Sequence, residues 1–104
     1  MWVYEKKLQY PVKVSTCNPY LAKLLVEQYG GADGELAAAL RYLNQRYTIP
    51  DKVVGLLTDI GTEEFAHLEM IATMIYKQII YYLQLINNKK QSINISLICS
   101  AIVV

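Results

Sequence analysis

At 104 residues the chain has room for one small domain, and with 54% apolar residues it is not an intrinsically disordered one. The net charge of +1 hides an asymmetry, because all nine acids lie at or before Glu69 while residues 70 to 104 carry three lysines and no acid. Neither part has the clustered Lys/Arg stripe that counterion release requires, so nucleic acid is not an expected partner.

Residues 1 to 17 alternate loosely around Pro11 and read as an extended arm. The opening MWVYEKKLQYP has neither the apolar core nor the small-residue cleavage site of a secretory signal. Cys17 and Cys99 fall in no CxxC pairing and read as free thiols of a reducing compartment, which points to the cytoplasm. Asn18 and Pro19 then combine an N-cap residue with a proline suited to the first helical position. From there LAKLLVEQYGGADGELAAALRYLNQRY can run as one helix, with Gly30 and Gly31 as its weak point. The second half of that helix is apolar nearly all round, from Leu36 to Leu43 with Arg41 as the polar exception, and a helix without a polar face is a buried one.

Thr48, Ile49, Pro50 and Asp51 read as a tight connection, which makes the following helix an antiparallel neighbour of the first. That second helix, from about Asp51 to beyond Lys77, has a seam at spacings of four and three: Val53, Leu57, Ile60, Glu64, His67, Ile71, Met74. The apolar runs at 79 to 86 and 95 to 104 each fall short of the roughly 20 residues that a membrane span needs, so no membrane role is expected. SINISLICSAIVV favours strand by propensity, without an evident partner strand.

Glu64 and His67 are the two seam positions that are not apolar, and His67 is the single histidine of the chain. Burying an ionised carboxylate without a partner costs several kcal/mol, so something must compensate at such a place. Glu-x-x-His points a carboxylate and an imidazole to one side of a helix, one turn apart, and a divalent metal accepts both. Antiparallel packing can bring Glu35 of the first helix to the same ion, as in bundles that hold two metals with Glu and Glu-x-x-His residues. ExxH also recurs by chance, and a lone histidine on an apolar face is often a hydrogen-bonded core residue, so both readings stay open on the residues alone. Tyr42, two turns along from Glu35, is a candidate donor to a ligand carboxylate or a plain packing residue. Glu63 and Glu69 fall off the seam and read as solvated, and Met70 and Met74 read as core filler.

GGADGELAAALRYLNQRY, followed by LLTDIGTEEFAHLEMIATMI and preceded by KKLQYP, resembles the N-terminal half of the manganese-containing catalases and in particular a spore-coat member of that family. The resemblance covers residues 1 to 78 and implies an all-α, ferritin-like fold, here an antiparallel two-helix hairpin that forms half of a four-helix bundle, with an extended N-terminal arm and an atypical tail. It places Glu35, Glu64 and His67 at three ligands of a dinuclear manganese site, with Glu64 a bridging catalytic carboxylate and Tyr42 a tyrosine that supports the ligands. The implied reaction is disproportionation of hydrogen peroxide to oxygen and water. Family members continue with a second helix pair that supplies the remaining ligands, whereas residues 79 to 104 stop resembling them, which reads as a truncated or frame-shifted end.

Three functions follow as expectations. The first is a manganese catalase whose site, with two ions, is completed by homodimerisation. The second is a structural component in contact with other spore-coat proteins, with little or no catalysis. The third is an iron-binding ferritin-like protein, since carboxylate-rich, histidine-poor ligation suits manganese or iron over copper or zinc.

Overall fold

The computed structural model describes residues 2 to 87, with side chains as far as residue 80. The strand tendency after residue 92, Cys99 and most of the atypical tail lie outside the described residues.

Asn18 and Pro19 act as expected. The Asn18 side chain accepts the Leu21 N–H at 3.0 Å, and Pro19 opens helix α1, Pro19–Gly30. The sequence allows this helix to run on to Tyr47, but the chain breaks at residues 31 to 34 and a second helix, α2, spans Glu35–Gln45. Close approach is the reason. A Cβ on Gly34 would lie 2.7 Å from the Gln28 and Glu27 carbonyl oxygens, so the turn folds back onto the end of α1 only with glycine there. The Arg41 guanidinium donates to the Ala32 carbonyl at 2.7 Å and to Asp33 at 3.0 Å, which ties the turn to α2.

Arg46 donates to the Leu43 carbonyl and to the Thr58 hydroxyl, closing the end of α2 with a cation where the helix dipole favours one. After the short link, helix α3 runs unbroken over Asp51–Asn87. Contacts of α3 with Glu35 at one end of α2 and with Arg46 at the other show that α2 runs antiparallel to it. Asn18 meets Gln78, so α1 joins the same antiparallel row and the hairpin is one long helix against a broken one.

The arm follows α3 from the other side. Trp2 packs on Phe65 with ring centroids 6.4 Å apart, and Gln9 donates to Glu63 at 2.9 Å, so Glu63 holds the arm and is not simply solvated. The Lys77 ammonium donates to the Val12 carbonyl, and buried Gln78 accepts the Asn18 N–H at 2.6 Å through its side chain and the Cys17 thiol at 2.6 Å through its carbonyl. Coverage by both α2 and the arm explains why the most buried of the described side-chain positions of α3 are Gly61, Ala66, Ile75 and Gln78, beside the seam and not on it.

One expectation is corrected. Helix α2 is not buried all round, because Leu36 and Leu40 are 41% and 51% exposed, and Leu21, Leu24 and Leu56 are exposed as well. A single hairpin has one inner side, and an all-round apolar helix needs neighbours on the others.

Gly61 marks a close approach of α2 and α3, since a Cβ there would lie 2.8 Å from Leu43 Cγ and Cδ2, whereas a Cβ on Gly55 would meet nothing within 4 Å. Gly61→Val should therefore lower the thermal midpoint of the chain, at a cost of about 1–3 kcal/mol. Gly55→Ala should raise it, by up to about 1 kcal/mol from helix propensity. Equal shifts for the two would contradict the close approach of α2 and α3.

Candidate metal centre

Glu35 is the first residue of α2, where a carboxylate suits the positive end of the helix dipole. Glu64 and His67 lie one turn apart on α3, and the antiparallel row sets Glu35 beside them. Ligand atoms of the three residues all lie within 4.8 Å of one another. His67 Nδ1 is 2.9 Å from Glu64 Oε2 and 3.5 Å from Glu35 Oε2, so this nitrogen faces both carboxylates. The two carboxylates are 17% and 15% exposed, and among the described residues their ion-pairing partner is His67 alone.

Two acids so placed cannot behave alike. Burial pushes both carboxyls up from their ordinary range. For Glu35, hydrogen bonds from Glu64, Gln28 and His67 and the His67 charge outweigh burial and hold the carboxyl below that range. Glu64 moves up instead, because burial is joined by its hydrogen bond to Glu35 and by the Glu35 charge. The pair thus keeps one proton on Glu64 at a pH where an ordinary glutamate has lost it. A metal ion held here would need the carboxylate and would displace that proton. We expect Mn(II) uptake to release protons, and its affinity to fall as the pH is lowered, starting from a pH above the ordinary glutamate range, by about tenfold per pH unit for each proton displaced. Calorimetry in buffers of different ionisation enthalpy measures the release, and a heat independent of buffer would contradict it.

A cleft of about 420 Å³ opens on the site, lined by Glu35 and His67, by Met70, Ile71 and Met74 of α3, and by Pro11, Val12 and Lys13 of the arm. Met70 and Met74 are thus cleft walls as well as filler. Its apolar walls and its carboxylate and imidazole groups suit a small polar molecule beside a metal.

The structure brings Glu35, Glu64 and His67 together as the spacing suggests. Tyr42 sits elsewhere on α2, its Cβ against Gly61, and among the described residues no hydrogen bond joins it to the three. Sequence reasoning missed Gln28, whose amide donates to Glu35 Oε1 at 2.8 Å, and missed the arm residues that wall the cleft. Gln28 stands seven positions before Glu35, and the turn between them cancels any helical spacing that could have revealed it.

Comparison with known proteins identifies the family. Residues 1 to 82 match the family model described as manganese containing catalase. The chain is 94% identical over 77 residues to protein CotJC of Bacillus subtilis, a match covering 74% of this chain and 41% of that protein. It is 46% identical over 78 residues to a probable manganese catalase of Clostridium acetobutylicum, covering 72% of this chain and 35% of the relative. Among solved structures, KatB, a manganese catalase from Anabaena, superposes with a TM-score of 0.69 at 40% identity, over 75% of this chain and 36% of that one. The chain spans less than half the length of each of these relatives. Among the described residues no helix is long and apolar enough to cross a membrane. All three helices belong to the all-α, ferritin-like architecture of the manganese catalases. Sequence match and superposition agree, and the chain belongs to the manganese-containing catalase family.

Proposed function

We propose that the chain is a manganese-binding half-bundle that pairs with a second copy and, so completed, disproportionates hydrogen peroxide to oxygen and water. The observation that carries this reading is the convergence of Glu35, Glu64 and His67 within 4.8 Å in a half-buried seam. Two carboxylates and one imidazole form a donor set that suits manganese or iron over copper or zinc, and family membership favours manganese. In this reading Glu35, Glu64 and His67 would hold the metal, with Glu64 the catalytic carboxylate. When bound, manganese supplies two-electron redox chemistry, so that two peroxides become one dioxygen and two waters. Glu64 would give up its proton to a bound metal, and His67 would offer it Nδ1, the nitrogen that faces both carboxylates. Tyr42 is proposed as a hydrogen-bond donor to the carboxylates of the completed site.

One chain offers two glutamates and a histidine; two chains offer four and two, the number a two-metal bundle uses. The exposed leucines of α1 and α2 supply an apolar face for symmetric self-association. Residues 1 to 78 are taken as the half-domain that carries the chemistry, and the resemblance to a spore-coat member implies a place in the coat. The same exposed face also favours a second reading, a coat component that assembles through these leucines with little catalysis. Metal analysis, oligomeric state and oxygen release from peroxide test both. A dimer with about two manganese ions that releases oxygen is the expected result. A manganese-free monomer would overturn the proposal, and a metal-loaded dimer without oxygen release would leave the coat role.

A further inference from the structure

We infer that Gln28 is a positioning residue for Glu35, holding one of its carboxylate oxygens so that the other is presented to the metal; this rests on the reading of Glu35 as a ligand. The Gln28 amide donates to Oε1 at 2.8 Å, and the opposite oxygen, Oε2, faces His67 Nδ1 at 3.5 Å. Glu35 thereby becomes a one-oxygen ligand of fixed orientation, where an unheld carboxylate would be free to rotate away or to chelate. A neutral donor suits this task. An arginine or lysine at the same point would hold the carboxylate more strongly but would repel the incoming cation.

The chain bends in order to make this contact. On a continuous helix, residues seven apart are separated by about 10 Å along the axis, too far for a short side-chain bond of this kind. The turn at 31 to 34 removes that separation. Gly34 lies against the Gln28 carbonyl, where a Cβ would come within 2.7 Å, and Arg41 fastens the turn through Ala32 and Asp33. The end of α1 and the start of α2 are thus set side by side, and the helix break becomes part of the site.

Removing a group that orients a metal ligand costs about 10- to 100-fold in metal affinity. Gln28 is exposed, so its loss should leave the metal-free fold intact. Free Mn(II), followed by its paramagnetic resonance signal, reports the affinity of the full chain. Gln28→Ala should bind about 10- to 100-fold more weakly, with the thermal midpoint of the metal-free chain unchanged. Gln28→Glu, similar in size but without the donor, should also bind more weakly, and exposed Lys23→Ala should bind as the wild type does. If the wild type binds Mn(II) and Gln28→Ala binds it equally well, this inference fails while the metal reading stands. Tighter binding by Gln28→Glu would also overturn it, because the position would then act as a ligand. A wild type that takes up no Mn(II) sinks the metal reading, and this inference with it.

Discussion

His67→Ala should strip the chain of manganese and of any oxygen release from peroxide. His67 is the single histidine of the sequence, so no other imidazole can take its place. Its Nδ1 stands within 2.9 Å of Glu64 and 3.5 Å of Glu35, at the point where both carboxylates converge. Without it the two carboxylates face each other with no ion-pairing partner among the described residues. Changes to groups that only orient a ligand already cost about 10- to 100-fold in affinity, so loss of a direct donor should cost at least about 100-fold. Elemental analysis after dialysis reads the metal, an oxygen electrode reads the reaction, and circular dichroism confirms that the helices persist. Undiminished manganese in the variant would exclude His67 as a ligand. Equal oxygen release in wild type and variant would leave the coat role alone.

Leu36→Glu combined with Leu40→Glu should break self-association and carry the metal site with it. Both leucines lie on α2, close to Glu35 in sequence, and both are exposed in the single chain. Full burial of a leucine stabilises by about 1.5–3 kcal/mol. Since part of each side chain is already covered, about 1.5 kcal/mol apiece is a fair measure, and because a symmetric dimer loses both leucines from each copy the change in dimer dissociation constant is roughly 10,000-fold. The introduced carboxylates add repulsion between copies. Sedimentation equilibrium with and without Mn(II) measures the effect. If the second copy completes the site, manganese content should fall in step with the dimer. A monomeric variant that keeps its manganese would show that the partner contributes nothing to the site.

The parts of the fold that local chemistry dictates were legible. Asn18 and Pro19 announce the start of α1, and Pro50 and Asp51 announce α3, because caps and proline act within one turn of chain. The pairing of Glu64 with His67 was equally plain, since helical spacing alone places them on one side. The break at residues 31 to 34 was only half visible. Two adjacent glycines marked a weak point, but whether the helix passes through it depends on how closely the turn must approach the Glu27 and Gln28 carbonyls. The seam was displaced for a similar reason. Periodicity finds the apolar line of α3, while the docked arm decides which flank of that line is most deeply covered, and so Gly61, Ala66, Ile75 and Gln78 are the most buried of its described positions.

By itself, then, the sequence determined where α1 and α3 begin, the antiparallel order of the hairpin and the three candidate ligands, all consequences of capping, of spacing within a helix and of a short link. Only the tertiary structure decided that Glu35 comes within 4.8 Å of Glu64 and His67, that Gln28 donates to its carboxylate, and that Pro11, Val12 and Lys13 wall the cleft. Those contacts join residues across a turn, a helix pair and a docked arm. They depend on where chain segments come to rest against one another, and no periodicity in the sequence records that.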